Sequence, residues 1–263
     1  MSLENVIRYI KNETHYGSEN FCYLLYSLVK MEQPEVVVEL GVGTGVTTCM
    51  IGQALKENGK GKLWGIDNGE DWKEGSYDEF INKLLNQLEL NEVVNFKNIT
   101  LTETNFFDPK KPIDILFADA GNTGPLECIN LLRYYLPKMN TYSSIFIDRS
   151  STIHHAYLLL EQIIKYFQEK RIPACLTSAL VEKDENTPAC FTTSLSKEDT
   201  DKLYNLVLNS KFTLVHLTET QKAKANKLQN STAWIKIEPL DLFHHNGVQM
   251  WAEHQQKGKQ NEK

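Results

Sequence analysis

The chain lacks several features that would each have decided its class. No apolar run among its 263 residues approaches the length of a membrane span, so a helical membrane protein is not expected. No C-x-x-C occurs among Cys22, Cys49, Cys128, Cys175 and Cys190. Thiols so far apart, most with apolar neighbours, read as buried free cysteines of a reducing compartment, and the expected location is cytoplasmic. There is no excess of positive charge. Lys and Arg number 28 against 34 Asp and Glu, a net charge of −6, which leaves no electrostatic footprint for nucleic acid. No internal repeat is visible, and Met1 to Thr14 is polar and amphipathic, unlike a secretion signal. What remains is 41% hydrophobic and 24% charged, the composition of one large globular domain or of a domain with an appendage.

Against those absences stands one dense stretch. Val36-Val37-Val38 is a β-branched run of the kind that forms a strand buried on both faces. It leads through Glu39 and Leu40 into Gly41-Val42-Gly43-Thr44-Gly45, and then into a helix-compatible segment from Thr47 to Lys56. A strand, a glycine turn and a helix N-terminus bring unpaired N–H groups to a place that a ligand can approach closely. The dinucleotide fingerprint G-x-G-x-x-G fails here, because its third glycine is Val46, and a nicotinamide dehydrogenase is disfavoured. The acid two residues before the first glycine suits a ligand carrying an ammonium better than one carrying a pyrophosphate.

Strands and helices then alternate. Lys62–Asp67, a strand within 93–101, Pro112–Asp119 and Ser143–Asp148 read as strands. Tyr77–Leu90, Leu126–Leu136 and Ile153–Lys170 read as helices. This alternation predicts an α/β fold, a doubly wound and mostly parallel sheet of seven strands with helices on both faces. Residues 1–30 are expected to form a helical cap, 31–240 the main domain and 241–263 a tail with a disordered end. Lys197–Asn209 reads as a helix, and Phe212–Leu217 with Ala233–Ile237 as an antiparallel closing pair. Residues 171–195 are an expected elaboration, with two short strands within Pro173–Thr193 around the polar turn Glu182–Asn186. Glu39, Asp67, Asp119 and Asp148 all fall at carboxyl ends of strands, where open α/β sheets bind ligands.

The run E-L-G-x-G-x-G resembles the first motif of the class I S-adenosylmethionine-dependent methyltransferases, and the layout is similar to their small-molecule O-methyltransferase branch. The resemblance implies that S-adenosyl-L-methionine is the cofactor. Its methionine half would be held by Glu39, Gly41, Gly43 and Gly45, its ribose hydroxyls by Asp67, its adenine by Glu103 and Thr104, and Asp119 would also face it. The implied activity is methyl transfer to a small molecule at oxygen. The alternative is a cofactor-binding protein without turnover, acting as a regulatory or interaction module. A nucleic-acid methyltransferase is disfavoured, since no basic surface, N-P-P-Y or catalytic cysteine motif is found. The expected partner is the small-molecule acceptor, with neither nucleic acid nor membrane, and a homodimer is the candidate assembly.

At the acceptor end the resemblance departs from its pattern. Asp119 and Asp148 match the two acids with which catechol-type enzymes hold a divalent cation, but the adjacent Asn is Arg149 here. The lysine base expected after the fourth strand is absent from Ala120-Gly121-Asn122-Thr123-Gly124. An always-charged guanidinium beside the acids predicts that no metal is bound. Asp119, Asp148 and His154 are the catalytic candidates. His154, like its neighbour His155, has the pKa range of a base and follows the fifth strand. His244-His245 has no third ligand at metal spacing and reads as a surface pair.

Overall fold

The computed structural model describes residues 3–12, 19–101, 106–119, 124–185, 187, 189–218 and 231–240. Its sheet has seven strands in the order β3-β2-β1-β4-β5-β7-β6. In chain order these are β1 Val36–Leu40, β2 Lys62–Asp67, β3 Val94–Asn98, β4 Ile113–Ala118, β5 Met139–Ile147, β6 Ser210–Thr218 and β7 Ser231–Pro239. β1 to β5 pair in parallel, and β7 joins β5 and β6 in antiparallel pairs. The chain winds outward from β1 to β3, crosses back to β4 and winds the other way. A crevice therefore opens beyond the ends of β1 and β4, the switch point at which such sheets bind ligands.

The helices are α1 Leu3–Asn12, α2 Glu19–Glu32, α3 Val46–Asn58, α4 Tyr77–Gln87, α5 Pro125–Tyr135, α6 His154–Gln168, the short α7 Ala189–Thr192 and α8 Lys197–Asn209. Because side chains alternate along a strand, the central strands feed two cores. Val37, Ile115 and Phe117 join a core with α1 to α4, while Val36, Val38, Leu40 and Leu116 join the other with α5, α6 and α8. β1 is buried at all five positions, as its β-branched run requires. α2 lays Phe21 against Phe117 and Phe146 of the sheet. No helix among the described residues is long and apolar enough to cross a membrane.

One expectation about the fold is corrected. Residues 171–195 hold no strand among the described positions, only a 3-10 turn at Ala174–Leu176 and α7. The reason lies outside the segment. Arg133 on α5 is 3% exposed, and its guanidinium donates to the carbonyls of Cys175, Ser178 and Thr193. Those carbonyls are satisfied by a side chain and need no strand partner. β5 also starts earlier than the sequence suggests, at Met139, with a register shift against β4 between Ile113 and Ile115.

Candidate active site

The ends of β1, β2, β4 and β5 are held level by backbone bonds that run on past the strands. Gly41 N–H donates to Ile66 O, Asp119 N–H to Leu40 O, and Asp148 N–H to Ala118 O, at 2.8, 2.7 and 2.9 Å. Above these ends lies a cavity of about 680 Å³. Its described walls include Gly41, Gly43, Asp67, Trp72, Asp119 and Arg149.

The glycines have different duties. Gly43 sits at φ +54°, and a Cβ built on it would meet nothing within 4 Å, so the loop leaves open space beside the cavity. Gly45 is the N-cap of α3 at φ +79°, and its Cβ would stand 2.8 Å from Leu84 Cδ2. It does not line the cavity. Its glycine is required by the packing of α3 against α4, whereas Gly41 and Gly43 line the cavity.

Glu39 is displaced in the same way. It is 0% exposed and absent from the cavity wall, beneath the loop. One oxygen accepts from Thr48 Oγ1 at 2.6 Å, which pins the start of α3, while Oε1 has no partner. Burial pushes its carboxyl up to about 8, against the lowering effect of the threonine hydroxyls. The side chain faces α3 because strand alternation places it with Val37, on the face of the sheet that packs against α1 to α4. Direct contact with an ammonium is therefore not what this geometry offers.

Asp67 does reach the wall. Its Oδ2 accepts from the N–H of Val42 and Gly43, at 2.8 and 2.9 Å, and its Oδ1 from Gly69 N–H at 2.8 Å. It caps its own turn and holds the glycine loop at once. Charged acceptors of this kind are stronger than neutral ones. Glu103 and Thr104 lie outside the described residues.

At the other end, Asp119 and Asp148 are in side-chain hydrogen-bond contact. Burial first, and then the neighbouring Asp148 carboxyl, push Asp119 well above the usual carboxylate range. Asp148 also accepts from Thr232 Oγ1 on β7 at 3.1 Å. Arg149 places Nε 3.5 Å from Asp148 Oδ2. It holds a left-handed backbone at φ +58°, uncommon for a residue with a side chain.

His154 is not brought to this group. It is the first residue of α6, exposed, with its ring 5.5 Å from that of His155, and it does not line the cavity. Ile153 caps the helix, and the turn at 149–152 leads the chain away before α6 begins. Sequence reasoning missed Tyr9, Tyr77 and Thr232, whose site contacts all cross between elements. No local signal marks them.

Strand order, glycine loop and acids at the carboxyl edge together define a Rossmann-like fold of the class I methyltransferase type. Residues 38–150, from within β1 to just past β5, match the family model described as "Methyltransferase domain". A search of curated proteins gives no match. Among solved structures the fold is similar to that of a SAM-dependent O-methyltransferase from Thermotoga maritima, at 11% identity and TM-score 0.51, covering 89% of this chain and 71% of that one. It is similar also to cofactor-bound Rv0187 from MTB, at 12% identity and TM-score 0.50, covering 90% and 88%.

Proposed function

We propose that the chain is an S-adenosylmethionine-dependent methyltransferase that methylates a small molecule at oxygen. The observation that carries this reading is the charge of the cavity. Asp67, Glu70, Asp71 and Glu127 line it against a single described cation, Arg149. Such a wall attracts a cationic cofactor and repels a pyrophosphate. The open space at Gly43 supports the same reading. The matched methyltransferase domain agrees with it, as does the name of the Thermotoga maritima protein.

S-Adenosylmethionine, when bound, supplies a methyl group activated by a sulfonium. The chain's own contribution is to position and to manage charge. The backbone at Gly41 and Gly43 forms one wall, and Asp67, whose side chain also contacts the Tyr77 hydroxyl, faces the place of a ribose hydroxyl. In the Asp119–Asp148 pair, Asp119 keeps its proton and hydrogen-bonds Asp148, so the carboxylate of the pair that receives the proton given up by a hydroxyl acceptor is Asp148. The Arg149 guanidinium beside Asp148 penalises a dication at that pair, so the proposed activity needs no divalent metal. Cys49, Cys128 and Cys175 are free thiols, which supports a reducing, cytoplasmic setting.

One observation favours a second reading, cofactor binding without turnover: Arg149 pairs with Asp148 and the candidate base His154 lies apart. Incubation with methyl-labelled cofactor and a small-molecule extract separates the two. Label in an acceptor, read by mass spectrometry, is expected. Cofactor binding with no labelled product across the extract selects the second reading.

A further inference from the structure

The glycine loop is held by more than Asp67. The hydroxyl of Tyr77, the first residue of α4, donates to the carbonyl of Gly43 at 2.7 Å. The hydroxyl of Tyr9, on α1, donates to the next carbonyl, that of Thr44, at 2.5 Å. Tyr77 is 7% exposed, and its ring fills the turn after β2 so closely that a Cβ on Gly69 would stand 2.5 Å from it. Phe96 meets the same ring edge-on, with centroids 5.5 Å apart.

Two successive N–H groups, of Val42 and Gly43, are thus held from β2, and two successive carbonyls, of Gly43 and Thr44, are held from α4 and α1. The freest residue of the loop lies between them. Gly43 has a positive φ and no atom within 4 Å of where a Cβ would stand, and without a side chain only these hydrogen bonds keep its peptides from turning over. A turned peptide would reverse a dipole on the cavity wall.

We propose that Tyr77, with Tyr9 as a second tie, is the positioning residue of the cofactor loop, and that its hydroxyl sets cofactor affinity by fixing the direction of the Gly43–Thr44 carbonyls. α1 then belongs functionally to the site, although none of its described residues lines the cavity. The identity of the ligand rests on the methyltransferase reading. The ordering of the loop does not.

Tyr77→Phe and Tyr9→Phe keep both rings and delete only the donors. Three measurements decide the matter: amide hydrogen exchange at Gly43 and Gly45 without cofactor, affinity for S-adenosylhomocysteine by calorimetry, and melting temperature. Tyr77→Phe is expected to speed exchange at both amides and to raise the dissociation constant about three- to tenfold, the effect of one hydrogen bond. Tyr9→Phe is expected to show the same pattern, more weakly. Because the two hydroxyls hold adjacent carbonyls, the double variant should lose less than the product of the single losses. A lower melting temperature with unchanged exchange and unchanged affinity assigns both phenols to packing and overturns the proposal. If the unmodified protein does not bind S-adenosylhomocysteine, the cofactor reading fails, and exchange alone then decides: acceleration in the variants keeps the two tyrosines as ties of the loop, and no change removes them.

Discussion

At the β1–β2 end of the cavity, the N–H groups of Val42 and Gly43 and the carbonyls of Gly43 and Thr44 each have a side-chain partner. At the β4–β5 end, two carboxyls share a hydrogen bond, one guanidinium stands beside them, and Asp119 is held far from its ordinary pKa. The first end has its polar groups settled before any ligand arrives. The second keeps charges close together and gains from a partner that removes a proton or shares the negative charge. A site that binds one constant ligand and turns over another has reason to divide its walls in this way, preorganised at one end and chemically poised at the other.

The comparison is broken most severely at Gly43. Gly43→Val strains a left-handed position, by about 1–3 kcal/mol, and fills the open space beside the cavity. Cofactor binding is expected to disappear in calorimetry while the circular dichroism stays native. Asp67→Ala comes next. It removes the acceptor of three backbone N–H groups, and a loss of about 1–3 kcal/mol in cofactor affinity is expected. Unchanged affinity would leave Asp67 as a turn cap alone.

Sharper for the second end is the response to pH. Asp119 and Glu39 are held protonated in the fold to about 8, whereas the unfolded chain ionises near 4. Folding therefore takes up protons in this window, and stability present below it is lost as pH rises through it. The melting temperature of the ligand-free protein should fall between pH 4.5 and 8, and Asp119→Asn should flatten part of that slope. The smallest expected effect is that of a chelator: none on cofactor affinity and none on methyl transfer. A requirement for magnesium would mean that Arg149 turns away from the acid pair.

The parts legible in the sequence are those written locally. β2 and α8 occupy the spans their patterns indicate, Lys62–Asp67 and Lys197–Asn209. α8 has a serine cap, with Ser196 Oγ accepting from Asp199 N–H at 3.1 Å. The acids at the strand ends were legible because strand and acid are adjacent in the chain. Which of them meets the cavity was not. Glu39 faces a helix, Asp67 is spent largely on the loop, and Gly45 serves helix packing, and each of these depends on a neighbour elsewhere in the chain. The segment 171–195 was misread because its carbonyls are satisfied by Arg133, at a distance no local pattern encodes. Tyr9 and Tyr77 were invisible for the same reason.

The most direct test of the account is a pair of titrations on the intact chain, with S-adenosylhomocysteine and with NAD, under identical conditions. A one-site isotherm for the first and none for the second is the predicted result. Binding of NAD with no response to S-adenosylhomocysteine would contradict the reading of an acidic, preorganised methyltransferase site.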